Sequence, residues 1–253
     1  MNKTRIIARL DIKNDYVIKG IHLEGLRKIG NPNELAKKYY NEGVDEIIFM
    51  DAVAAYYDRN SLTEIINRAC EDVFVPITVG GGIRKIEDIQ IALNAGADKI
   101  AINTKAVKNP TFIKEASQVF GSQCIVSSID AKKVNDKEWE VYYDNGRENT
   151  GKDVVDWAKE VEDLGAGEIM LTSIDQEGTK KGFDIELIKA VSKVTTIPVI
   201  SSGGGGKKED LANAIVNSEI DAIAIASILH YNIESINDLK NYLNKMDDID
   251  IRL

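Results

Sequence analysis

The stretch Ile77-Thr78-Val79-Gly80-Gly81-Gly82-Ile83 reads as a buried strand that runs directly into three glycines. Glycine has no Cβ, so the backbone N–H groups after such a strand can close on an anion. The pattern returns about half a chain later in Ile197-Pro198-Val199-Ile200-Ser201-Ser202-Gly203-Gly204-Gly205-Gly206. Two glycine loops, each ending an apolar strand, point to two anion sites in one molecule. The plainer alternative is that the glycines only permit tight turns.

Outward from these loops, apolar runs alternate with segments of helical spacing along almost the whole chain. The runs predict strands over 5–11, 46–51, 76–80, 99–103, 124–130, 168–172, 198–202 and 222–226. The spacing between them predicts helices over 33–42, 62–71, 86–95, 110–120, 152–164, 184–194 and 208–216, with a last one over 235–243. Asn31-Pro32 and Asn109-Pro110 each place a capping side chain ahead of a first-turn proline. Strands apolar on both faces and separated by helices imply a parallel sheet covered on both sides, and eight such units close into a barrel. The expected fold class is α/β: a single (β/α)8 TIM barrel spanning 1–253 as one domain. The segment 131–151 is too long for a plain connection. In it Glu138-Trp139-Glu140-Val141-Tyr142-Tyr143 alternates and Asp144-Asn145-Gly146-Arg147 signals a turn, which predicts a small hairpin over the mouth after the fifth strand.

Composition narrows the function. The 253 residues suit one barrel, and 43% hydrophobic with 29% charged residues describes a globular chain with ample core. A net charge of −9 with no dense Lys/Arg run argues against a nucleic-acid partner. Cys70 and Cys124 are far apart and outside any C-x-x-C pair, so reduced, buried thiols in a cytoplasmic protein are expected. No signal-peptide core precedes the first strand, and no apolar run approaches the ~20 residues of a membrane span. Two histidines, His22 and His230, are too few for the usual metal sites, and no carboxylate spacing suggests a cage, so neither metal nor cofactor is expected. His230 reads as a packing or surface residue.

The halves of the chain repeat. Glu46-Ile47-Ile48-Phe49-Met50-Asp51 aligns with Glu168-Ile169-Met170-Leu171-Thr172-Ser173 at an offset of 122, as do Pro76 with Pro198, Gly81 with Gly203, and Glu87-Asp88 with Glu209-Asp210. Leu10-Asp11-Ile12-Lys13 aligns with Ile129-Asp130-Ala131-Lys132 at 119, and Asp98 and Asn103-Thr104 with Asp221 and Ala226-Ser227 at 123. One nearly constant offset over several strands predicts two duplicated half-barrels. One half then builds a phosphate site from Gly81, Gly82, Asn103 and Thr104, and the other builds its twin from Gly203, Gly204, Ala226 and Ser227. The second set follows strands seven and eight, where such barrels commonly bind phosphate. The expected ligand carries a phosphate at each end.

Asp11 and Asp130 end strands one and five, which lie opposite each other in an eight-stranded barrel. Two carboxylates across one mouth suit a general acid and a general base, and nothing in the spacing decides which is which. Lys19 follows in a stretch that folds over the mouth and can meet a phosphate or Asp11. Thr172 ends strand six, and Glu177 and Gly178 follow it, completing the candidate substrate-binding set. At the other end Arg5, Glu46, Lys99 and Glu168 open strands one, two, four and six. Inward-pointing charges there must pair. Such a ring is either a structural plug or a gate for something small and polar.

Several stretches together carry a resemblance over essentially the whole chain: Leu10-Asp11-Ile12-Lys13, Thr78-Val79-Gly80-Gly81-Gly82-Ile83-Arg84, Ala97-Asp98-Lys99-Ile100, Val107-Lys108-Asn109-Pro110, Phe120-Gly121-Ser122-Gln123-Cys124-Ile125, Trp157-Ala158 and Gly165-Ala166-Gly167-Glu168. The chain resembles the cyclase subunit of imidazole glycerol phosphate synthase, from histidine biosynthesis. The resemblance implies a lyase/cyclase acting on a bisphosphorylated ribulosyl aminoimidazole carboxamide ribonucleotide, with Asp11 and Asp130 as acid and base. It also implies a glutamine amidotransferase (glutaminase) subunit as heterodimer partner, whose ammonia passes the Arg5/Glu46/Lys99/Glu168 ring. Some residues depart from the family pattern. Arg9 replaces a usual cysteine, Ala52-Val53-Ala54-Ala55 lacks two usual hydroxyls, Ile21-His22-Leu23-Glu24-Gly25 is unlike the usual loop, and Glu177 replaces a usual aspartate. These changes lie on substrate-facing loops and strands. They keep open a paralogue that uses ammonia to amidate bacterial surface sugars, a non-catalytic activator of a glutaminase, and a sugar-phosphate isomerase.

Overall fold

Strand β1 (Arg5–Lys13) shows how the barrel is built from its alternation. Ile6, Ala8, Leu10 and Ile12 point outward into the large core shared with the helices, while Ile7 belongs to a separate apolar cluster in the lumen. In this computed structural model, which describes residues 3–54 and 62–252, seven further strands continue the barrel: β4 (Glu46–Asp51), β5 (Ile77–Gly80), β6 (Lys99–Ile102), β7 (Ile125–Asn135), β10 (Glu168–Ser173), β11 (Val199–Ser202) and β12 (Ala222–Ile225). Each pairs in parallel with its neighbours. β7 also pairs with β10 and β12 with β1, so the eight-stranded sheet closes on itself. The predicted (β/α)8 barrel is the observed fold.

Amphipathic helices cover the outside. In chain order they are α1 (Pro32–Asn41), α2 (Thr63–Asp72), α3 (Ile86–Asn94), α4 (Thr104–Lys108), α5 (Thr111–Phe120), α6 (Val154–Asp163), α7 (Ile185–Ser192), α8 (Lys208–Asn217), α9 (Ser227–His230) and α10 (Ile236–Leu243). Ile65, Ile66 and Ala69 of α2 and Trp157, Ala158 and Val161 of α6 show the 3–4 spacing that buries one face of each. Asn31 caps α1 as expected, its side chain accepting from the N–H groups of Asn33 and Glu34 at 2.9 and 3.2 Å. Asn109 does not cap α5. Pro110 takes the cap position, and the Asn109 side chain accepts from the Thr111 hydroxyl instead, at 2.8 Å.

Two hairpins depart from the simple alternation. The predicted one is present as β8 (Glu138–Tyr143) and β9 (Glu148–Asp153), with Asp144 and Asn145 turning at φ of 55° and 57°. It displaces the start of the helix predicted over 152–164 to Val154, where the Asp153 carboxylate caps the chain. The other hairpin, β2 (Tyr16–Ile21) and β3 (Glu24–Gly30), has no Asn-Gly-type turn to announce it; the chain reverses through His22 and Leu23, both at positive φ.

The duplication has a geometric counterpart. The N–H of Ile77 donates to Asp98 Oδ2 at 2.8 Å, and that of Val199 to Asp221 Oδ2 at 3.0 Å. Asp88 accepts from the N–H groups of Arg84 and Lys85, and Asp210 from those of Gly206 and Lys207. A Cβ on Gly81 would lie 2.4 Å from the Asp51 carbonyl oxygen, and one on Gly203 would lie 2.9 Å from that of Ser173. Both glycines have positive φ, 93° and 97°. Glycine is thus required twice, at equivalent turns, for the same steric reason.

Candidate active site

Asp11 and Asp130 leave β1 and β7 at the C-terminal end of the barrel, and both are buried. Their surroundings differ. Arg9, two residues before Asp11 and on the same face of β1, also turns into the lumen and is only 4% exposed. Its Nε donates to Asp11 Oδ1 at 2.9 Å; one terminal nitrogen donates to the hydroxyls of Thr172 at 2.9 Å and Ser202 at 3.1 Å. Lys19 Nζ reaches down from β2 to within 3.8 Å of Asp11 Oδ2 and forms a close ion pair with Glu177. Asp130 instead accepts from the side-chain amide of Asn103 at 2.8 Å.

These surroundings separate the two carboxyls electrostatically. Burial pushes Asp11 up, but Arg9 and Lys19 outweigh it and hold the carboxyl below its ordinary value. Burial also pushes Asp130 up, and the more distant Arg9 and the Asn103 amide leave it at about 6. Burial lowers the Lys19 ammonium to about 8, which keeps it mostly protonated at neutral pH. His230 lies in the packing beneath, its Nδ1 2.8 Å from the Tyr39 hydroxyl; burial lowers it to about 4, so it is neutral.

The two glycine turns flank this centre. Gly81 and Gly82 follow β5, Asn103 and Thr104 follow its neighbour β6 where that strand meets α4, and the Thr104 hydroxyl accepts from the Asp144 N–H of the hairpin turn. On the other side Gly203, Gly204, Ala226 and Ser227 line a cavity of roughly 10 Å³ together with Lys19 and Glu177. Two further predicted binding residues are also engaged within the protein itself. Thr172 is fully buried and accepts from Arg9. Gly178, at φ 73°, lets the hairpin dock, since a Cβ there would lie 2.2 Å from the Gly20 carbonyl oxygen. The His22 N–H completes the docking by donating to the Glu177 carbonyl at 2.8 Å. Ser202 is a polar contributor that sequence reasoning missed. The odd-numbered register that Arg9 shares with Arg5 and Asp11 is the sequence signal for its inward side chain.

At the opposite end Arg5 bridges Glu46 and Glu168, at 2.5 Å each, and Lys99 bridges the same two carboxylates at 3.0 and 2.9 Å. The four residues close a ring across the lumen. Above it lies the apolar cluster that includes Ile7, Ile48, Val126, Met170 and Ile200, and above that the Arg9 layer. The cysteines are free and half-buried rather than buried. Among the described residues no group of three or more His, Cys, Asp or Glu is placed to hold a metal, and no helix is long and apolar enough to cross a membrane. Ala55 lies outside the described residues.

A closed parallel barrel with twin glycine turns and two electrostatically distinct carboxyls at its mouth places the protein among the (β/α)8-barrel enzymes. The family model described as histidine biosynthesis protein matches residues 5–234. A curated relative, imidazole glycerol phosphate synthase subunit HisF of Legionella pneumophila, is 61% identical over 210 residues, which cover 83% of this chain and 99% of the relative. The chain belongs to the histidine biosynthesis protein family. The resemblance to the synthase's cyclase subunit, drawn from the motifs, agrees with both matches.

Proposed function

We propose that this chain is the cyclase-lyase subunit that makes imidazole glycerol phosphate, using ammonia delivered by a glutamine amidotransferase. The observation that carries this reading is the pair of buried carboxyls, Asp11 and Asp130, set between two equivalent glycine turns. The turns are the cradles for the two phosphates of a ribulosyl aminoimidazole carboxamide ribonucleotide: Gly81, Gly82, Asn103 and Thr104 for one, Gly203, Gly204, Ala226 and Ser227 for the other. Backbone N–H groups at such turns, with no Cβ in the way, favour phosphate oxygens. The second cradle is close-packed, with Lys19 and Glu177 among its lining residues.

Ammonia adds to the ribulosyl ketone and water leaves. The nitrogen so introduced then closes the ring by bonding the carbon that bridges the two halves of the substrate. The bond from that carbon to the nitrogen of the carboxamide ribonucleotide breaks, and that nitrogen takes up a proton as it leaves, which completes the imidazole. Each stage needs a proton taken from nitrogen and one given to a departing atom, the work of a carboxylate and a carboxylic acid. The partner docks at the N-terminal end of the barrel, and ammonia passes the Arg5/Glu46/Lys99/Glu168 ring and the apolar layer to the mouth. A cytoplasmic heterodimer follows from this reading.

The test is turnover of the ribulosyl bisphosphate by the purified chain with ammonium salt as nitrogen source. Consumption that falls at least about 100-fold in Asp11→Asn and in Asp130→Asn is expected. A folded wild-type protein that binds a glutaminase yet leaves this substrate untouched would overturn the reading in favour of a different ammonia acceptor, such as a surface sugar. Arg9 and Val53, where the mouth departs from the family pattern, are then the residues to examine.

A further inference from the structure

An arginine inside a barrel lumen needs an explanation, because a buried cation is costly unless its charge is answered. Arg9 is answered unevenly. Two of its acceptors, Thr172 and Ser202, are neutral hydroxyls on β10 and β11 that fix the direction of the guanidinium without cancelling its charge. The charge is left to the carboxylates, and only Asp11 touches it, through Nε at 2.9 Å. Arg9 and Asp11 are two residues apart on one strand and face the same way, so the contact holds wherever β1 is intact. Asp130 comes from the opposite side of the barrel and takes its hydrogen bond from Asn103.

Of the other charged or titratable groups around the pair, Lys19 acts in the same direction as Arg9, and none but Arg9 donates a hydrogen bond to Asp11. Lys19 of the β2 hairpin is 3.8 Å from Asp11 but is already paired with Glu177 from the loop after β10. His230 of α9 is neutral and bonded to Tyr39 of α1.

We propose that Arg9 is a positioning residue: anchored across three strands, it pins the Asp11 carboxylate in the lumen and so divides proton transfer, leaving Asp11 to accept protons and Asp130 to donate them. The contrast between the two carboxyls, one held low and one near 6, supports the same division. The proposal rests on the cyclase-lyase reading for its chemistry, whereas the anchoring of Arg9 against Asp11 does not depend on that reading.

Two measurements on Arg9→Met and Arg9→Lys test it. The first follows carboxyl titration by NMR with aspartate labelled at the side-chain carbon, assigned with Asp11→Asn and Asp130→Asn, and it needs no substrate. In Arg9→Met the Asp11 titration rises by about one pH unit or more, whereas Arg9→Lys, which keeps the charge, holds most of the shift. The second is the pH profile of ammonia-dependent turnover at constant free ammonia. Arg9→Met lowers kcat roughly 100-fold with little change in KM and moves the acid limb to higher pH, and Arg9→Lys recovers part of both. A folded Arg9→Met in which Asp11 titrates as in the wild type overturns the proposal, even if activity falls. Should Arg9→Met not fold, an Arg9→Lys protein with Asp11 fully shifted upward overturns it equally. A wild type inactive on the ribulosyl substrate would refute the cyclase-lyase reading and leave the titration to decide the role of Arg9.

Discussion

Asp11 and Asp130 make opposite contributions to stability as pH changes. Asp130, near 6 when folded, lies above its unfolded value of about 3.9, so folding favours its protonated form. That contribution is fully present below the unfolded value and is lost as pH rises through 6. Asp130→Asn, neutral at every pH, is therefore expected to be more stable than the wild type at pH 8 by on the order of 2 kcal/mol, with the gain shrinking toward zero near pH 4. Asp11 is held low, so its contribution is present above the unfolded value and lost as pH falls through the folded one. Asp11→Asn should accordingly lose stability at pH 8 by leaving Arg9 uncompensated. Urea midpoints at several pH values read both, and equal shifts of one sign would refute the account. At this scale the sequence was partly legible. The two aspartates could be found because each closes an apolar strand. Their inequality could not, because it depends on how Arg9 and Lys19 are aimed at Asp11, and the anchors that aim them, Thr172, Ser202 and Glu177, are brought near only by the closed barrel.

The β2–β3 hairpin is the element whose behaviour depends most on a few contacts. It is held to the loop after β10 by the His22 N–H, by the His22 ring beside the Ile174 carbonyl at 3.0 Å, and by the room that Gly178 leaves for Gly20. Gly178→Ala puts a side chain at positive φ and against a backbone oxygen, which costs about 2 kcal/mol locally. Hydrogen exchange should then accelerate over Tyr16–Gly30 while the barrel strands keep their protection, and KM for the bisphosphate should rise. Uniform loss of protection through the barrel would contradict a latch confined to the hairpin. Sequence reading found the β8–β9 hairpin and missed this one for a physical reason. Asp144-Asn145-Gly146 advertises its turn through residues that tolerate positive φ, whereas His22-Leu23 is forced there by what it docks against.

Over the whole molecule, the alternation of strands and helices with its repeat at an offset of 122 was enough to read the barrel and its duplication, because each short apolar run is bounded by segments of helical spacing. Closure through β7–β10 and β12–β1 brings Arg5, Glu46, Lys99 and Glu168 into one ring although they span most of the chain. Arg5→Ala leaves two buried carboxylates with one lysine between them and should cost about 3 kcal/mol in unfolding free energy. If the ring also admits ammonia, the variant changes glutamine-dependent turnover in the heterodimer by a different factor from turnover on added ammonium salt. Equal factors would leave the ring a plug. Between that ring and the mouth the lumen is lined by Ile7, Ile48, Val126, Met170 and Ile200, a thin insulating disc between two polar compartments. Crossing it strips a solute of its water, which for an ion is a large penalty and for a small neutral molecule a slight one. If a solute enters by way of the ring, the disc acts on it as a filter of protonation state: it has to reach Asp11 and Asp130 uncharged, with any proton it carried left at the ring.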